Sequence, residues 1–165
     1  MTTLSQINKN ILISVVISLA VLAFVFYTQF FLGLRPCKLC VWQRWPHILA
    51  VIIGLFILFK TRYQVFACYI VLFSISTGLI ISIFHYGVEL RLWLGPESCS
   101  GITNFEKLSP EEFLKNLLET PIVRCDEISW SFLDISMAGW NAIISIFLCI
   151  SWSYNASLLK KINKA

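Results

Sequence analysis

Four apolar runs decide what this chain can fold into. Ile11–Leu32, Tyr63–Phe84 and Ala138–Tyr154 carry no charge, and Trp45–Phe59 grows backwards only by taking in Arg44. A hydrocarbon layer about 30 Å thick needs roughly 20 apolar helical residues to cross it. Inside that layer a helix satisfies its own backbone polar groups, which an isolated strand cannot do. With 58% hydrophobic and 13% charged residues, the chain has too little polar surface for a soluble globule of 165 residues. The expectation is an all-α membrane protein of one domain. It is a four-transmembrane-helix bundle with spans near 11–32, 42–59, 63–84 and 138–154, and loops at 33–41 and 85–137. The first run exceeds the apolar part of a secretion signal and no A-x-A site follows it, so it reads as a retained span.

Charge placement gives the bundle a direction. All nine acids lie between Glu89 and Asp134. Lys9, Lys60, Arg62, Lys160, Lys161 and Lys164 lie on the ends of the chain and the short central turn. The positive-inside tendency weights such short flanks over long loops, so it places them in the cytoplasm. Four crossings then put residues 33–41 and 85–137 together on the outer side. Trp42, Trp45, Trp93, Trp130 and Trp140 fall near the expected boundaries, where indole rings prefer to be.

The outer loops hold four of the six cysteines: Cys37, Cys40, Cys99 and Cys125. Disulfides persist outside the cytoplasm and are rare within it. Cys68 and Cys149 fall inside spans and read as inert packing, since free cysteine behaves as a small buried hydrophobe. Cys37-Lys38-Leu39-Cys40 forms a CxxC at the outer start of the second span. A thiolate near a helix N-terminus is stabilised by unpaired amides. Cys40 is the sulfur expected to gain, with the span beginning at or just after it. Pro46 leaves two starts open, one near Cys40 with a kink and one near Trp45 with Pro46 in the first turn. Arg44 lies one turn after Cys40 on the same face, where its cation would stabilise a thiolate or an anionic acceptor oxygen. Its other reading is an arginine snorkelling to headgroups.

A close-spaced cysteine pair also occurs in metal sites, haem attachment and structural bridges. Zinc sites usually draw four Cys or His ligands from close-spaced pairs. Cys99 and Cys125 are far apart and have no histidine between them, so no metal is expected. Haem attachment would need histidine where Val41 stands. A structural Cys37–Cys40 bridge closes too small a loop to stabilise much. Cys99 and Cys125 by themselves read as a staple of the outer loop. Beside a reactive pair on the same side they also read as a relay, because disulfides exchange through thiolate attack. His85 and Glu89, four residues apart, can share a helix face at the membrane edge. Ser109-Pro110-Glu111-Glu112 is a helix start with a capping box, and Phe113, Leu114, Leu117 and Leu118 follow on one face before Pro121. The long loop is therefore expected to carry a short amphipathic helix lying on the membrane.

Pro36-Cys37-Lys38-Leu39-Cys40-Val41-Trp42-Gln43-Arg44, His85, Gly95-Pro96-Glu97-Ser98-Cys99 and Arg124-Cys125-Asp126-Glu127 together resemble the DsbB family of bacterial disulfide-generating membrane proteins. The resemblance runs from the first span to the fourth. It implies a bundle in the bacterial inner membrane that re-oxidises a soluble periplasmic DsbA-like thiol oxidase. Such a relay is the established means of keeping a bacterial periplasm oxidising. Electrons would enter at a Cys99–Cys125 disulfide, attacked at Cys99, pass to Cys37–Cys40, and leave from Cys40 to a quinone, ubiquinone or menaquinone. The resemblance puts Arg44 and His85 beside that quinone. Glu89 is taken with them as a candidate contact, although a glutamine stands there in one family member. The expected partners are the soluble oxidase, the membrane quinone pool and the lipid bilayer, with no nucleic acid. A vitamin K epoxide reductase-like oxidoreductase shares the four spans, the CxxC and the quinone, but its CxxC follows the loop cysteines, and here the order is reversed. A non-catalytic membrane subunit with structural disulfides is the reading from another class.

Overall fold

The computed structural model describes residues 2–59, 63–96 and 123–163. Cys99 and the amphipathic helix expected after Ser109 lie outside these residues. Four long helices follow the four apolar runs: α1 (Thr2–Phe30), α2 (Lys38–Leu58), α3 (Gln64–Glu89) and α4 (Met137–Ile162). All four are long and apolar enough to cross a membrane. Two short strands, β1 (Ser131–Phe132) and β2 (Ile135–Ser136), pair antiparallel just before α4.

The helices form a ring in which α3 packs against α2 and α4, and α1 closes against α2 and, less extensively, α4. The core of one half is built from Ile7, Ile11, Val15, Ala50, Ile57, Val71, Ile75, Leu148 and Trp152. Many other apolar side chains, such as Leu19, Ile52, Phe73 and Ile150, point outwards, as expected where lipid replaces water. Cys68 is fully buried in this core and Cys149 packs against it, both as free thiols.

The second helix starts earlier than the sequence suggested. Cys37 is its N-cap, in extended conformation (φ −72°, ψ 170°), and its sulfur accepts the amide of Cys40 at 3.2 Å. Pro46 is therefore interior to the helix and not in its first turn. Of the two starts expected from Pro46, the one near Cys40 holds and the one near Trp45 is corrected by this cap: a side-chain acceptor on the orphan amides fixes the first turn before the proline is reached. The proline ring is accommodated by Gly78 on α3, where a Cβ would stand 2.8 Å from Pro46 Cγ. Gly78 and Ser82 on α3 are buried, whereas Thr77 faces outwards.

α3 runs past its expected end to Glu89, so His85 and Glu89 are both helical. It stops in a Schellman turn: Arg91 takes φ +58°, Arg91 N donates to Val88 O, and Leu92 N donates to Gly87 O at 2.9 Å. The hairpin before α4 was not anticipated. Its two-residue turn, Leu133-Asp134, has both residues at positive φ (52° and 61°), the geometry that matches strand twist. The usual sequence signal, a glycine in the turn, is missing.

Gly78→Ala should destabilise the bundle by about 1–3 kcal/mol, because the facing pyrrolidine ring cannot rotate away. The check is the thermal unfolding midpoint in detergent, which should fall relative to the unsubstituted protein.

Candidate functional site

The sequence places two sulfurs at the start of α2, and the cap turns both inwards. Cys37 Sγ and Cys40 Sγ are 2.7 Å apart and unbonded. Cys37 is 4% exposed, and Cys40 is half-buried. Cys37 Sγ faces the Cys40 thiol and the Cys40 amide, and lies 3.5 Å from His85 Nε2. Donation from the Cys40 thiol, helped by His85 and opposed by burial, draws the Cys37 thiol down to about 5. The sulfur favoured by the helix N-terminus is thus Cys37 and not Cys40, as the sequence alone suggested.

Cys37, Leu39, Val88 and Cys125 form one buried cluster, with Cys40, Phe84 and Val123 packed against it. Cys125 is disulfide-bonded and 1% exposed. The chain around it is fixed by Arg124, whose Nε and Nη2 donate to Asp126 at 2.9 and 2.5 Å. Folding therefore brings a cysteine of the long loop against the CxxC, although 85 positions of sequence separate Cys125 from Cys40.

Cys40 forms part of the wall of a cavity of about 490 Å³ between α1, α2 and α4. The walls are mainly apolar, and the cavity occupies the seam where α1 and α4 pack least closely. Phe24, Trp130, Phe132 and Trp140 form an aromatic row along it, with successive ring centroids 5.2, 6.3 and 6.2 Å apart. Trp140 Nε1 donates to Phe132 O, which ties the hairpin to α4. Arg44 lines the cavity one turn below Cys40. Its Nη1 donates to Gln29 on α1 at 2.6 Å and its guanidinium lies over the Phe26 ring at 5.1 Å, so it is held against α1 and does not reach freely for headgroups.

His85 and Glu89 do not line this cavity. They stand on the other side of the CxxC, His85 beside Cys37 and Glu89 Oε1 3.8 Å from His85 Nε2. Glu89 Oε2 accepts from the Ser136 hydroxyl, which also caps α4 by accepting Gly139 N. One further grouping bears on metals: the sulfurs of Cys37 and Cys40 and a ring nitrogen of His85 lie within 4.8 Å of one another. Three donors are one short of a closed tetrahedral site.

The sequence reading missed Gln43, His47 and Asn141. Gln43 Nε2 meets His85 Nδ1 at 2.9 Å, Asn141 Nδ2 donates to Gln43 Oε1 at 3.0 Å, and His47 Nε2 meets Asn141 Oδ1 at 2.9 Å. The available signal was their type, since buried polar residues in spans are costly and seldom idle. Gln43 and His47 also recur at three and seven positions after Cys40, on its own helix face.

A CxxC at a helix start, a second cysteine packed on it, and an apolar cavity opening beside one sulfur within a four-span bundle define a membrane thiol–disulfide oxidoreductase. The comparisons with known proteins agree. The chain matches the family described as "Disulfide bond formation protein DsbB" over residues 8–155. It is 32% identical to a disulfide bond formation protein B of Pasteurella multocida (strain Pm70), covering 74% of this chain and 70% of that protein. It is 31% identical to one of Haemophilus influenzae (strain Rd), covering 81% and 77%. It is also 26% identical to an uncharacterised protein of Rickettsia prowazekii (strain Madrid E), covering 84% and 81%. No solved structure matches it. The chain belongs to the DsbB family, whose members are quinone-dependent protein disulfide oxidases of the membrane.

The thiolate assignment gives a pH dependence. The folded value of Cys37 lies below the ordinary 9.0, so its ionisation favours the folded, reduced protein. That contribution is complete above pH 9, diminishes as pH falls and is gone below about 5. The reduced protein should show thiolate absorbance at 240 nm with a midpoint near pH 5, and Cys40→Ala should move that midpoint up towards the ordinary thiol value.

Proposed function

We propose that this protein faces the periplasm with its cysteine-bearing end in a bacterial inner membrane, and renews a soluble DsbA-like dithiol oxidase at the expense of a bilayer quinone. The observation that carries the proposal is one of placement. Cys37 and Cys40 stand between the buried cluster that holds Cys125 and the cavity lined by Arg44. One pair of sulfurs thus borders both the loop cysteine and an apolar cavity.

The partner's thiolate attacks a Cys99–Cys125 disulfide, at Cys99, and leaves with its own disulfide formed. The resulting loop dithiol reduces Cys37–Cys40 by the same exchange. The Cys37 thiolate then supplies the electron pair that rebuilds the bond to Cys40 Sγ. A pair of electrons leaves through Cys40 on the cavity side. The sum would be two thiols and one quinone in, and one disulfide and one hydroquinone out. A quinone in the cavity supplies a two-electron, two-proton acceptor that dissolves in the bilayer. The apolar walls fit its ring, and the buried Nε of Arg44, without a hydrogen-bond partner among the described residues, offers a donor for an oxygen. Burial strengthens that donation, since it acts where water does not compete. His85 has a different task in this scheme. Its imidazole beside Cys37 holds the thiolate and is positioned in turn by Gln43 and Glu89.

The test is anaerobic mixing of the purified protein with a reduced DsbA-like protein and a soluble quinone, followed by quinone absorbance. Turnover is expected. Cys40→Ser should abolish it, and Arg44→Ala should raise the quinone KM by about tenfold, the loss of one charge-assisted hydrogen bond. Rapid quinone reduction by the Cys40→Ser protein would remove the assignment.

A further inference from the structure

The buried amides fix the protonation of a side chain that the relay itself does not use. Ser82 Oγ donates to Gly78 O at 2.7 Å, which consumes its only proton. Its oxygen must therefore accept from Asn141 Nδ2, at 2.7 Å. That orientation turns Asn141 Oδ1 towards His47, so His47 Nε2 carries a proton and donates at 2.9 Å. A neutral imidazole protonated at Nε2 leaves Nδ1 as a lone-pair acceptor. His47 is 1% exposed, its Nδ1 has no partner among the described residues, and the side chain lines the cavity beside Arg44 and Cys40.

A buried acceptor without a donor is costly, and the chemistry of the cavity offers one. A quinone presents only carbonyl acceptors, which gain nothing from a lone pair. A hydroquinone presents two hydroxyl donors. We propose that His47 recognises the reduced form of the carrier, accepting a hydrogen bond from a hydroquinone hydroxyl at Nδ1. The inference rests on the reading of the cavity given above. Arg44, a donor, serves an oxygen in either redox state, whereas His47 rewards only the state that has gained its protons. Tighter holding of the product makes reduction of the bound carrier more favourable, by linkage.

The chain contains two histidines, which makes the test direct. The resting, disulfide-form protein is labelled with 15N-histidine and titrated with a short-chain benzoquinone and, separately, its hydroquinone. His47→Leu assigns the spectrum. In the unsubstituted protein, Nδ1 of His47 should show the shift of an unprotonated ring nitrogen. It should move on adding hydroquinone and stay in place with quinone. In parallel, equilibrium binding should show that His47→Leu weakens hydroquinone about tenfold while leaving quinone within about twofold. If both forms bind but Nδ1 carries a proton, or does not respond to hydroquinone, the role of His47 is overturned and the cavity assignment stands. The same holds if the variant keeps the original preference. If neither form binds, the cavity assignment falls and His47 with it. The spectrum of the unsubstituted protein decides the matter even should the variant fail to fold.

Discussion

The hydrogen bond from the Cys40 amide to the Cys37 sulfur organises the working end of this molecule. A helix leaves its first amides without partners, and a side-chain acceptor must be found for them. Here the acceptor is a redox-active sulfur at the capping position. One interaction starts α2 and brings Cys40 to within 2.7 Å of Cys37, whose thiol is then drawn down chiefly by donation from the Cys40 thiol. Every later element of the site is measured from that turn. Arg44 falls one turn further on and Gln43 and His47 lie on the same face.

The second constraint is the cost of polarity inside a bilayer. His47, Asn141, Gln43, Ser82 and His85 are all buried, and each would be expensive alone. They are affordable as a connected set, because each donor meets an acceptor and the order of donation is determined at one end by Ser82 and Gly78. The set crosses α2, α3 and α4. It therefore ties the cavity to the cysteine pair mechanically, and a shift of one helix would leave several groups unpaired at once.

Much of this was legible in the chain. The four helices follow from apolar runs that no soluble domain could bury, and the bundle follows from the runs. The reactive pair was legible because CxxC places two sulfurs within a single turn. Arg44 was legible because four positions make one helical turn. The start of α2 was legible only as two alternatives, because Pro46 is a strong local signal and a cysteine cap is a weak one. The hairpin before α4 was invisible, since Leu133 and Asp134 adopt positive φ without the glycine that usually announces it. His85 and Glu89 were legible as a pair on one face of α3, but their meetings with Cys37 and Ser136 were not.

What the sequence determined by itself is periodic and local: which segments are helical, which residues share a turn, and which chemistry a pair of close sulfurs can perform. These depend on spacings of a few residues, and the backbone fixes them. The tertiary structure alone decided that Cys125 packs on the CxxC, that Arg44 is held by α1, and that Asn141 meets His47. Those are meetings between helices distant in sequence. Apolar patterning says which face of a helix is buried but not which partner it meets, and ring order and rotation are settled only when the whole set of side chains packs at once.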